Sequence, residues 1–127
     1  MPRVLLVEDD PSMLSLLTTL LTFEGFEALH LEDDSEDGIV QAVCQTKPDL
    51  VFMDVHLRRA NGLEVLRRIR TSDTCPQVRI MMSSGMDFNL ECRQAGADSF
   101  ILKPYMPDEL VSVMRSVLAL DAEDLNH

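Results

Sequence analysis

Five short apolar runs punctuate the chain, at positions 4–7, 26–31, 50–53, 79–82 and 100–102, and apolar residues recur at helical spacing between them. Most of the runs are unbroken, which suits strands buried on both faces, and stripes recurring every three or four residues suit amphipathic helices. The first helix is the most sharply marked. Asp10 is a good N-cap, Pro11 suits the first helical position, and Gly25 lies beyond the end. Met13, Leu16, Leu17, Leu20 and Leu21 form its predicted apolar stripe. A second helix starts near Ser35, carries Ile39, Val40 and Val43, and stops before Pro48. A third carries Leu63, Leu66 and Ile69 and fades through Thr71-Ser72-Asp73. A fourth, around Phe88 to Ala95, is short and weakly patterned, with Gly96 ending it. The fifth starts at Pro107, with Asp108 and Glu109 suited to the positive end of the helix dipole, and runs to about Leu120. On that helix Leu110, Val113, Met114, Val117 and Leu120 share one arc, expected to face the sheet. Val111 and Leu118 fall outside it and either widen the core face or form a contact patch flanking Phe100.

Strands alternating with helices build parallel βα units. The expected fold is therefore α/β: a doubly wound (βα)5 unit with a parallel five-stranded sheet and helices on both faces. The expected domain covers residues 1–120, with an acidic tail or truncated linker at 121–127. In such folds ligands bind beyond the carboxyl ends of the strands.

Composition narrows the function classes. A chain of 127 residues with 46% hydrophobic content can bury one core without staples. Its 22 acidic residues against 11 Lys and Arg leave a net charge of −11, which argues against direct nucleic-acid binding and against anionic membrane surfaces. No apolar run approaches the roughly 20 residues of a membrane helix, and the N-terminus lacks a signal-peptide layout. Cys44, Cys75 and Cys92 stand far apart and are odd in number. They read as reduced thiols in a cytoplasmic protein. The eight methionines read as core filler.

The chemistry stands at the strand ends. Glu8-Asp9-Asp10 follow the first predicted strand, Asp54 the third, Ser83-Ser84 the fourth and Lys103-Pro104 the fifth, so these groups should converge on one edge of the sheet. Carboxylates about 4 Å apart repel by roughly 4 kcal/mol at an effective dielectric near 20, so such a set calls for a cation. Hard oxygen ligands suit Mg²⁺, with Mn²⁺ as an alternative. A metal and an ammonium can neutralise phosphate oxygens while a carboxylate acts as nucleophile.

The segments Leu-Leu-Val-Glu-Asp-Asp-Pro (5–11), Asp-Leu-Val-Phe-Met-Asp (49–54), Gly62, and Ala-Gly-Ala-Asp-Ser-Phe-Ile-Leu-Lys-Pro (95–104) together resemble the receiver domain of response regulators in two-component signalling, chemotaxis regulators included. The resemblance covers essentially the whole chain and implies a flavodoxin-like fold. It also implies that Asp54 accepts a phosphoryl group from a sensor histidine kinase, a phosphotransfer protein or a small phosphodonor. Glu8 and Asp9 match the family's acidic pair, and with Asp54 and the main-chain carbonyl of His56 they are the implied Mg²⁺ ligands; Asp10 is better spent as the helix cap. Ser83 matches the switch hydroxyl, Lys103 the family lysine, and Phe100 the aromatic that turns inward on activation, although Phe100 also reads as a plain core residue. The resemblance further implies a cis bond between Lys103 and Pro104, and an output surface on the fourth helix, fifth strand and fifth helix that would engage a second copy or an effector. Such a domain catalyses only its own phosphorylation and dephosphorylation.

The chain departs from the pattern in places. Arg58 stands where the family usually has proline, Ser83 where threonine is commoner, and the stretch from Ser83 to Gly96 is short. The main alternative is a small aspartate-nucleophile phosphatase of haloacid-dehalogenase type. That reading would place Glu8 where the nucleophilic aspartate belongs, and the chain carries no cap insertion. A flavodoxin-like flavin protein would need a Ser/Thr/Gly phosphate loop after the first strand, where this chain has acids. The sequence fits either a stand-alone receiver or a piece of a longer regulator.

Overall fold

The computed structural model describes the backbone of residues 1–125 and the side chains of residues 1–119. Its elements run β1 (Arg3–Val7), α1 (Pro11–Phe23), β2 (Glu27–Leu29), α2 (Glu36–Thr46), β3 (Leu50–Asp54), α3 (Gly62–Arg70), β4 (Arg79–Ser84), α4 (Asn89–Gln94), β5 (Ser99–Leu102) and α5 (Pro107–Leu125). All strand pairings are parallel, in the order β2-β1-β3-β4-β5. The chain thus moves outward from β1 in both directions, and the order reverses at the β1/β3 boundary, where such sheets open a crevice for ligands.

Strand alternation divides the core into two layers. Val4, Leu6, Leu50, Phe52, Met81 and Ile101 join Leu17 and Leu21 of α1 with Leu110, Val111, Met114 and Val117 of α5. Leu5, Val7, Val51, Met53, Ile80 and Met82 face the other way, onto α2 and α3, with Cys92 of α4. The strands β1, β3 and β4 are buried on both faces, as their apolar runs require, while the edge strands β2 and β5 are only partly covered.

Several expectations are corrected. Leu16 is 60% exposed, and Leu14 packs on the core instead. The buried centre of α1 is Leu17 and Leu21, with Met13, Leu14 and Leu20 packed beside them. Val111 is core, only 4% exposed, and half-buried Leu118 packs on the same cluster, so they widen the α5 face and do not form a patch beside Phe100. Phe100 lies in the opposite layer. The second strand is only Glu27–Leu29, and α5 continues to Leu125, past its expected end near Leu120. The side chain of Leu120 and residues 126–127 of the expected tail lie outside the described residues.

The cysteine reading is also corrected. Cys44, near the end of α2, and Cys75, in the α3–β4 connection, form a disulfide with their Cα atoms 5.2 Å apart, and Cys92 is the buried free thiol. Packing of α2 on α3 brings together residues 31 apart in sequence. No helix among the described residues is long and apolar enough to cross a membrane.

Candidate functional site

The carboxyl ends of β1, β3, β4 and β5 bring Glu8, Asp54, Ser83 and Lys103 to one edge of the sheet. Register does the first part of this: Asp54 pairs with Ser83, and Val7 with Met53, across adjacent strands. Alternation does the rest, since Glu8, Asp54, Ser83 and Lys103 follow inward residues of the α1/α5 layer by two. Lys103 Nζ donates to Asp54 Oδ2 at 2.7 Å and to Glu8 Oε1 at 3.4 Å. Glu8 and Asp54 side chains are only 11% and 13% exposed. Burial pulls the Lys103 ammonium down, but the hydrogen bond and charge of Asp54, then those of Glu8, outweigh it and hold its pKa above the ordinary lysine value. The Lys103–Pro104 bond is cis.

Local hydrogen bonds hold the acidic residues in separate tasks. Asp10 caps α1, accepting from Ser12 N at 2.9 Å and Met13 N at 3.4 Å, with Pro11 at the first position. Asp10 therefore serves as the helix cap. Glu8 Oε2 accepts from the Asp9 amide at 2.8 Å, and Asp9 Oδ2 accepts from the Arg58 amide. Asp54 Oδ1 accepts from the His56 amide at 3.2 Å. His56 itself is exposed at the rim, its ring edge-on to Phe88 at 5.3 Å. Asn61 caps α3, and Gly62 sits so close to β3 that an added Cβ would lie 2.3 Å from the Asp54 carbonyl oxygen. That glycine lets α3 begin directly behind the acidic residue.

The donor set of Glu8, Asp9, Asp54 and a loop carbonyl is all hard oxygen, and Glu8, Asp9, Asp54 and His56 line one open cleft of about 460 Å³. In chemistry this donor set suits a Mg²⁺ ion. In the arrangement observed, Lys103 stands between Glu8 and Asp54, and no group of three His, Cys, Asp or Glu residues among those described is gathered as a metal cluster.

Behind Asp54 lies a small enclosed space lined by Ser83, Lys103, Phe52 and Tyr105. The hydroxyls of Ser83 and Tyr105 are buried without a protein hydrogen-bond partner. Burial pushes the Tyr105 phenol up to about 12. Ser83 is thus a buried hydroxyl beside Asp54 and Glu8. Tyr105 was not legible as a residue of this space; its one signal is an aromatic two residues after Lys103. Phe100 is half-buried against the α2/α3/α4 layer.

The family profile of the response regulator receiver domain matches residues 4–115. A DNA-binding response regulator, MtrA of Mycolicibacterium smegmatis, is 34% identical over 122 residues, covering 96% of this chain and 53% of that protein, so the chain spans about half the length of the relative. Among solved structures, the signal receiver domain of the putative LuxO repressor of Vibrio parahaemolyticus superposes with a TM-score of 0.84 at 29% identity, over 99% of this chain and 97% of the other. The receiver domain of the sensor histidine kinase PA1611 of Pseudomonas aeruginosa, which carries a magnesium ion in its active-site cleft, is similar in fold with a TM-score of 0.81 at 23% identity, over 93% and 98% of the two chains. The fold, the match across residues 4–115 and the relatives together show that this chain belongs to the response regulator receiver domain family.

Proposed function

We propose that the chain is a Mg²⁺-dependent phosphorylation switch in which Asp54 is the acceptor. The observation that carries this reading is the ion pair of Lys103 with Asp54 at 2.7 Å, beside Glu8 and Asp9, in an open cleft. Asp54 is the carboxylate that the site surrounds, and its Oδ2 already faces a cation. When bound, Mg²⁺ supplies the charge that neutralises phosphoryl oxygens, with Glu8, Asp9, Asp54 and the His56 carbonyl as the residues to hold it. Lys103 stabilises the remaining oxygen, and the orphaned Ser83 hydroxyl is a donor for the phosphoryl group. Withdrawal of Ser83 toward that group would free space for Phe100 to turn inward.

Donors in this reading are a sensor histidine kinase or phosphotransfer protein, and small phosphodonors. Chemistry is confined to the domain's own phosphorylation and dephosphorylation. The output face is α4, β5 and α5, where Leu90 of α4, Leu102 of β5 and Met106 just before α5 are exposed, and a second copy or an effector would meet it there. The MtrA relative is named as DNA-binding, while this chain's own net charge of −11 opposes direct contact with nucleic acid. We place the domain in the cytoplasm, where phosphodonors and Mg²⁺ are available and where a reducing pool would open the Cys44–Cys75 bond. Intact-mass measurement after incubation with acetyl phosphate tests the reading. One phosphoryl group should add in the presence of Mg²⁺, none with a chelator, and none to Asp54→Asn; equal labelling of Asp54→Asn would refute the acceptor.

A further inference from the structure

We propose that Arg58 is a phosphodonor-recognition residue, its guanidinium drawing the dianionic phosphoryl group of a small acyl phosphate into the Asp54 cleft. The inference rests on Asp54 being the acceptor. The cleft wall includes Glu8, Asp9, Asp10 and Asp54, four carboxylates that repel an incoming dianion. Its two cations are Lys103 and Arg58. Lys103 is engaged by Asp54 and Glu8. The neighbouring arginines are also committed, Arg59 to Asp34 at 2.8 Å and Arg68 to Asp37 at 2.7 Å. Arg58 is exposed, and among the described residues its bond is through the main chain, where its amide donates to Asp9.

That amide bond ties the backbone of Arg58 to a carboxylate of the acidic pair, at the wall shared by the cleft and an adjoining cavity of about 260 Å³. The residue is thus fixed at its root and free at its tip. A planar guanidinium matches two phosphate oxygens at once, which a lysine does not. In the step that follows, an Asp54 carboxylate oxygen attacks phosphorus and forms the new P–O bond. The bond from phosphorus to the acyl oxygen breaks, and its electron pair leaves with the carboxylate product, acetate when acetyl phosphate is the donor. No proton or redox partner is consumed. Arg58 acts before this step, by raising donor occupancy.

The test is the rate of phosphorylation of the whole chain over an acetyl phosphate concentration series at saturating Mg²⁺, for wild type, Arg58→Ala, Arg58→Lys and Arg58→Glu, at low and high salt. Alanine is chosen because it keeps the amide that holds Asp9, which proline would delete. The half-saturating donor concentration should rise about 3- to 10-fold in Arg58→Ala, as suits one exposed charge. Arg58→Lys should recover part of this and Arg58→Glu should exceed it, with all differences shrinking at high salt. The saturated rate should stay within about twofold of wild type, since the charge acts on encounter. Mg²⁺ affinity, read by calorimetry without donor, should be unchanged or tighter in Arg58→Ala. Equal half-saturation in wild type and Arg58→Ala overturns the proposal, and so does a rise accompanied by weaker Mg²⁺ binding, which would mean that Arg58 acts through Asp9. A wild type that takes no phosphoryl group overturns the Asp54 reading and this one with it.

Discussion

At the scale of single residues, Lys103 decides the resting electrostatics of the cleft. Its single positive charge is shared by Glu8 and Asp54 and offsets part of their negative charge. Removing it should favour the metal: Lys103→Met is expected to bind Mg²⁺ several-fold more tightly by calorimetry, since no ammonium competes for Asp54, and to phosphorylate more slowly. A weaker Mg²⁺ affinity would contradict the competition. The pH dependence follows from the same contacts. Folding raises the Lys103 pKa, so its stabilisation is complete below the unfolded value of about 10.4 and is lost as pH climbs through the higher folded value. Urea melts at neutral and strongly alkaline pH should show a shallower alkaline loss in Lys103→Met than in wild type. Glu8, Asp54 and Lys103 were legible in sequence because each ends an apolar run, and strand alternation then fixes the side on which it emerges. Tyr105 was not, because its inward turn depends on the path of the chain after β5.

At the scale of elements, the approach of α3 to β3 sets the position of the acceptor. Gly62 leaves room for that approach, and a methyl there would press on the Asp54 carbonyl and on Val55 Cα at 2.9 Å. Gly62→Ala should therefore destabilise by about 1–3 kcal/mol, the usual range for overpacking, and slow phosphorylation by displacing Asp54. A chemical melt and a phosphorylation time course check both halves; native stability with a native rate would contradict the packing account. Helix α5 gives a second case. Val111→Ser puts a cavity and a hydroxyl into the core and should cost on the order of 2–4 kcal/mol. Its burial was not legible because helical spacing reveals an apolar face but not its breadth. The face of α5 spans both β4 and β5 and is wider than one stripe. Leu16 shows the converse, an apolar residue on a well-patterned helix that the core does not reach.

At the scale of the whole molecule, the two faces of the sheet close around β1, β3 and β4, and the α2–α3 pair carries a covalent tie. The tie was not legible, because cysteines 31 residues apart show their proximity only once α2 lies on α3. Closing such a loop should contribute roughly 3–4 kcal/mol. Burial, then the charge of Glu91, pushes the Cys92 thiol up to about 11, so it should stay inert. Alkylation read by mass should find no reactive thiol in the native oxidised protein, one after denaturation, and three after denaturation with reductant. Two reactive thiols in the native protein would contradict the pairing. The alternation of strands and helices, and with it the convergence of their ends, was readable from the apolar runs alone. The account's central claim is that this convergence makes Asp54 the phosphoacceptor, and borohydride trapping tests it most directly. An aspartyl phosphate is an acyl phosphate that borohydride reduces to homoserine, whereas a free carboxylate resists. After treatment with acetyl phosphate and Mg²⁺, then borohydride, peptide mass mapping should place homoserine at position 54 and nowhere else; reduction at another carboxylate, or at none in a chain that has gained a phosphoryl group, would contradict it.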